Sequence, residues 1–235
     1  MKSFSLTKTI RPCYITKDVL RQLEEYLNQQ VPKTLAIDGS QLQKNYSLSI
    51  VDDLGTEVFS TISEFTFPRF VDTTNEIQVE FAIRHPIFLQ LSIRLGDSKD
   101  SRISLKCSSE SPREAASAIY DSIKRIIESN KSANVYVFPP PIAGGLIFLF
   151  GMLLFATGTT LINKKFETTG YLILFVVLCI VLFFFFGVMF RRYIEFETNL
   201  NTRHSNLFDW FIKGFIAWIV FGTALVLLRK KFFGF

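Results

Sequence analysis

Residues 171–190 read YLILFVVLCIVLFFFFGVMF, a run of 20 positions without a charge. Of these, 16 are Leu, Ile, Phe or Val. At about −0.3 to −0.6 kcal/mol per residue, that content favours bilayer insertion by about 5–10 kcal/mol, an upper bound because mid-helix values are applied throughout. A helix of this length matches a hydrocarbon layer about 30 Å thick. A helix lying on a soluble core would keep a polar face, and this run has none. Residues 142–162 repeat the pattern over 21 uncharged positions. Only residues 163–170, Asn163 to Thr169 and then Gly170, separate the two runs. So short a link predicts an antiparallel transmembrane hairpin.

A third apolar run covers 210–228, with Lys213 in its first turn and Asp209 four residues earlier. Lys213 can extend its ammonium to the interface. Residues 139–235 are therefore read as an all-α transmembrane domain of two to three helices, with spans at about 142–162, 171–190 and 210–228. The alternative is two spans and an interfacial or re-entrant third segment. Basic residues discriminate weakly. With a cytosolic N-terminus and three spans, Lys124, Arg125, Lys131, Arg191, Arg192 and Arg203 fall inside, against Lys164, Lys165, Arg229, Lys230 and Lys231 outside.

Residues 1–138 differ in kind. They hold 17 Lys and Arg against 17 Asp and Glu, a net of zero, so the chain's +5 belongs to 139–235. Basic residues beside spans fit topology and anionic headgroups, and direct nucleic-acid binding is not expected. No apolar signal segment follows the first lysines. The expected localisation is an integral membrane protein of the inner or plasma membrane with a cytosolic N-terminal domain. Cys13, Cys107 and Cys179 are too dispersed for a disulfide framework or a metal site.

The apolar stripe Val19, Leu23, Tyr26 and Leu27 behind Thr16 predicts a capped helix over about 17–29. Period-two alternation follows at Tyr46, Leu48, Ile50; at Ile77, Val79, Phe81, Ile83; at Leu89, Leu91, Ile93, Leu95; and at Ile103, Leu105, Cys107. A further strand is expected near 57–65, after an Asp52-Asp53-Leu54-Gly55 turn. Ser111, Pro112 and Glu114 form a capping-box signature ahead of the stripe Ala116, Ile119, Ile123, Ile126, Ile127. The expected fold is an α+β soluble domain over 1–138: helix, about five antiparallel strands, helix, with both helices on the buried face. Val135–Phe138 is expected to add a short strand before the stiff 139–141 triproline.

Catalytic signatures are missing. The sequence has no GxSxG, HExxH, P-loop or GxGxxG, and its two histidines stand apart from any nucleophile. Neither enzyme activity nor a cofactor is expected. Strand parity places Arg84, Arg94, Arg102 and Lys106 on the open sheet face with Ser47, Ser49, Ser92 and Ser104. That is a candidate surface for a small anionic ligand; Glu80 shares it, and a plainly solvated face is the competing reading. Gly144, Gly151 and Gly158 recur every seven residues on one face of the first span, a candidate helix-packing or oligomer seam. No acid, arginine or histidine lies mid-span, which disfavours coupled transport and voltage sensing. Soluble sensor domains joined to a few spans recur among bacterial membrane effectors, those of anti-phage defence included. On that architecture the chain is expected to be a membrane effector. Its cytosolic domain would sense a partner or ligand and control a bundle that forms a pore or perturbs the bilayer. The expected partners are anionic lipids and either further copies of the chain or a sensor protein. A non-enzymatic anchor or adaptor subunit of a larger membrane complex is the alternative.

Overall fold

The computed structural model describes residues 2–35, 37, 43–96, 100–129, 137–139, 141–163, 167–190 and 192–203, and the single positions 206, 207, 210, 213, 214 and 217. Most of the expected third span lies outside the described residues, as do Lys164, Lys165, Arg191 and the basic 229–231 tail.

The chain opens on a strand, β1 (Lys2–Thr9), before the short β2 (Cys13–Ile15) and helix α1 (Lys17–Glu25). Thr16 caps α1 as expected, its Oγ1 accepting from the Val19 amide at 3.2 Å. The helix continues beyond its expected end through a π-turn (Tyr26–Gln30) into α2 (Val31–Thr34). Then come β3 (Gln43–Asp52), β4 (Gly55–Phe59), β5 (Glu76–His85), β6 (Phe88–Gly96), β7 (Arg102–Ser109) and α3 (Pro112–Ile127). The strands form one antiparallel sheet in the order β1-β7-β6-β5-β3-β4. The sequence reading of about five strands in an α+β domain thus becomes six, and the helix-first order becomes strand-first. β1 escapes period-two reading because Phe4 and Leu6, its inward residues, are only half-buried at the sheet edge.

Alternation decides the core. Ile77, Val79, Phe81 and Ile83 on β5 and Leu89, Leu91, Ile93 and Leu95 on β6 are buried. They meet Ile103, Leu105 and Cys107 of β7 across the ladder and α3 above it, through Ala116, Ile119, Ile123 and Ile127. α1 packs beside α3 through Val19, Leu20 and Leu23. The β3–β4 turn is held as its residues predict: Asp52 Oδ1 accepts from the Leu54 and Gly55 amides at 2.8 and 3.0 Å. Gly55 there takes φ +151°, which favours glycine. The capping box does not form. Ser111 receives the Ala115 amide on its carbonyl, with no bond from its side chain to the helix end.

Two long apolar helices follow, α4 (Pro141–Asn163) and α5 (Glu167–Phe190), packed against each other. Residues 143–163 are long and apolar enough to cross a membrane, and only 6% of the most apolar window is buried. Soluble core helices pass the same length test, but they are mostly buried.

Candidate functional site: the domain–hairpin joint and the open sheet face

After α5 the chain returns to the domain. Ile194–Phe196 forms β8, which pairs in parallel with β2, Cys13 opposite Ile194 and Ile15 opposite Phe196. Ile194, Phe196 and Thr198 are fully buried. The domain boundary drawn at 138/139 followed composition; in three dimensions, residues 194–198 complete the domain core. Two backbone bonds lock the insertion, Glu197 N to Ile15 O at 2.9 Å and Phe70 N to Glu197 O at 3.0 Å. The Leu200 amide bonds Asp72 Oδ1 at 2.8 Å, and Arg69 donates to Asn199 Oδ1 at 2.8 Å. Thr198 caps the next helical turn, accepting from the Asn201 amide at 3.0 Å.

Both legs of the hairpin are thereby tied to the domain. On the outgoing leg Val137 is buried, and its side chain would lie 2.9 Å from a Cβ at Gly187 of α5. Any residue but glycine there would displace it. Val137 and Phe138 are not in a strand, contrary to expectation. Phe138 meets Tyr193 edge-on, ring centroids 5.6 Å apart. On the return leg the Tyr193 hydroxyl donates to Ile10 O at 3.0 Å, and Arg192 donates to Thr74 O at 2.9 Å. Burial raises the Tyr193 hydroxyl pKa, with Cys13 adding to it and Arg11 opposing, so the phenol stays a donor. Burial, and then Glu128, pushes the Cys13 thiol up to about 12.

Ile10 follows Thr9, the partner of Arg102, and Thr74 lies two residues before Glu76, the start of β5. The hairpin therefore leaves from the sheet end that carries Thr9, Arg102, Gly96 and Glu76. Register places the four candidate cations against that frame. Arg94 and Arg102 are direct cross-strand partners. Arg84 is six residues along β5 from Gln78, the partner of Arg94, about 20 Å away. Lys106 is four residues along β7 from Arg102, about 13 Å. The structure brings together two of the four and leaves Arg84 and Lys106 toward the far end. Like charges directly opposite repel. The pair is tempered by Glu76, whose Oε2 lies 2.7 Å from Arg94 and which raises the guanidinium pKa, chiefly by that hydrogen bond. Between these rows, Thr7, Ser104, Ser92, Glu80 and Ser47 stand side by side, with Thr7 and Ser104 hydroxyls 3.3 Å apart. This face can donate hydrogen bonds to a flat polar ligand. Among the described residues, no three His, Cys, Asp or Glu side chains gather to hold a metal ion.

The glycine stripe divides. A Cβ on Gly158 would lie 3.1 Å from Leu174 and 3.3 Å from the Gly170 carbonyl oxygen, so here the two helices meet backbone to backbone. Gly170, a position the sequence reading missed, is tighter still: its Cβ would crowd Ile162 and stand 2.7 Å from Gly158 O. Gly151 meets nothing within 4 Å and Gly144 only Pro139, at 3.7 Å. Of the three glycines expected to form a helix-packing or oligomer seam, Gly158 is the one that meets the other helix within the chain, and Gly144 and Gly151 leave their part of that face open among the described residues.

Comparison with protein-family models, curated proteins and solved structures finds no match.

Proposed function

We propose that the chain is a membrane effector. Its α4–α5 hairpin crosses the bilayer, and its α+β domain, on the cytosolic side, senses a partner or small anionic ligand and sets the packing of the spans. The observation that carries this reading is the return of β8. An inert anchor needs one covalent joint, whereas here the exit of α5 is built into the domain core beside β2 and both legs are clamped at Val137 and Tyr193. A change in how β2 and β8 sit would be felt directly at the base of α5. The exposed apolar surface of α4 supports the membrane part, and the Arg94–Arg102 pair, with its row of hydroxyls, supports a polar or anionic ligand.

The test is inducible expression of the full chain with a potential-sensitive dye. Depolarisation is expected on induction with the neighbouring genes present, and Phe196→Asp, which expels β8, should abolish it while the chain stays in the membrane. Unchanged potential and growth in that setting would overturn the effector reading. A stable stoichiometric membrane partner recovered in its place would favour an adaptor.

A further inference from the structure

Both legs of the hairpin leave one end of the domain, and arginines rim that end. β8 starts at Ile194, just after α5 ends at Phe190, and β2 runs parallel to it from Cys13. The start of β2 therefore lies on the hairpin side, and Arg11, two residues earlier, sits there. Beside it, the Ile10 amide donates to the Ser101 carbonyl at 3.0 Å, and the Ile10 carbonyl accepts from the Tyr193 hydroxyl at 3.0 Å. Ser101 precedes Arg102, which stands across the ladder from Arg94. Arg11, Arg102 and Arg94 thus follow one another along the base of the hairpin, and all three are exposed.

Four carboxylates of the same end are held within the domain. Asp52 accepts from the Leu54 and Gly55 amides, Asp53 from Asn75, Asp72 from the Leu200 amide, and Glu76 from Gln78 and Arg94. Arg94 is thereby partly engaged, with Asp100 also near it. Arg11 and Arg102 make no ion pair among the described residues. A guanidinium pairs with a phosphate through two parallel hydrogen bonds, and it is weakly hydrated, which suits a half-dry boundary. Cations spread along an open rim, not gathered round a hollow, match a surface that offers many phosphates. With the hairpin in a bilayer, its base lies at the headgroups, within the Debye length of about 8 Å over which lipid charge is felt. Arg84 and Lys106 lie about 20 Å and 13 Å farther along their strands, beyond that reach.

We propose that Arg11, Arg102 and Arg94 seat the domain on the phosphate headgroups of anionic lipids, in the leaflet from which the hairpin enters the bilayer. The inference rests on the membrane reading and names the anionic ligand of that same face: a lipid of the membrane that the hairpin crosses. Lipid charge would then set how the domain stands over α5, to which β8 ties it.

The test uses the full chain with Cys179→Ala and an environment-sensitive fluorophore on Thr9→Cys, the exposed cross-strand neighbour of Arg102. Cys13 and Cys107 remain, buried in the domain. The labelled chain is reconstituted in vesicles of phosphatidylcholine, with or without phosphatidylglycerol. The expected result is a blue shift of emission that needs phosphatidylglycerol and fades in about 1 M salt, where the Debye length is about 3 Å. It should be lost in Arg11→Gln/Arg102→Gln and partly kept in Arg11→Lys/Arg102→Lys. Arg84→Gln/Lys106→Gln, which removes the same charge toward the far end, should keep it in full. No such shift, a shift kept by Arg11→Gln/Arg102→Gln, or equal loss in both glutamine pairs overturns the proposal. If the chain still resists alkaline extraction from the vesicles, the membrane reading stays intact. A shift raised by inorganic phosphate in phosphatidylcholine vesicles, with none added by phosphatidylglycerol, assigns the rim to a soluble anion and also overturns the proposal. A chain released by alkaline extraction overturns both.

Discussion

Phe81 on β5 and Phe148 on α4 are the same residue in opposite situations: the first is 1% exposed and the second 70%. In the domain, apolar side chains alternate with polar ones, and the inward residues of β5, β6 and β7 are buried against the helices and the neighbouring strands. On the hairpin they point all round, and Leu146, Phe150, Leu153 and Phe155 stay exposed beside Phe148. The alternation answers water on one face, whereas a helix apolar all round fits the bilayer in which we propose the hairpin sits. The two halves thus differ in what covers their apolar side chains: the domain buries them within itself, the hairpin leaves many of them exposed, and β8 ties the one to the other.

The largest expected contrast is between those two phenylalanines. Phe81→Ala should cost about 3–5 kcal/mol of domain stability through the transfer and cavity terms. Phe148→Ala should leave domain unfolding unchanged, and denaturant melts of the full chain in detergent check both. An equal loss at both sites would mean that the hairpin folds into the domain core. The next effect is a pH dependence on the domain side. The Cys13 thiol, with its pKa raised from 9.0 to about 12, binds its proton more tightly when folded. Its contribution to stability is complete below pH 9 and falls as pH rises toward 12, by up to about 4 kcal/mol. Cys13→Ala should flatten that part of the alkaline stability profile. On the hairpin, Gly170→Leu should force α4 and α5 apart, an overpacking cost of about 1–3 kcal/mol, read as a loosened hairpin by cysteine crosslinking between the two helices. Smallest is the contrast of two caps. Thr16→Ala should cost about 1 kcal/mol, whereas Ser111→Ala, whose hydroxyl makes no cap bond, should change the melting midpoint little.

Local periodicity made β3, β5, β6 and β7 legible in the sequence, because each strand's alternation is set by its own burial. That two long apolar helices follow the domain was legible from length and charge. What stayed hidden is non-local. Ile194 and Phe196 are two apolar residues among charges, and only a partner 181 positions earlier, Cys13 for Ile194, makes them a strand. The cation face was half legible: parity placed all four side chains on one surface, but register, which parity cannot supply, separates Arg84 and Lys106 from Arg94 and Arg102. The seven-residue glycine spacing located a face and said nothing about which of its glycines another helix reaches. Gly170 and Gly187 do their packing without any spacing to announce it. Ser111 had the right residue types for a capping box, yet the turn closes through its carbonyl.

The central claim is that the chain crosses the membrane and comes back to the same domain. Impermeant thiol labelling of intact cells tests it, with single cysteines at Leu54→Cys and Leu200→Cys on the domain and Thr169→Cys at the hairpin turn, all with Cys179→Ala. Leu54, Leu200 and Thr169 are all exposed. The account predicts that Thr169→Cys is labelled from outside, while Leu54→Cys and Leu200→Cys react only after permeabilisation. Labelling of Thr169→Cys only together with the other two would place the turn on the domain's side and contradict it.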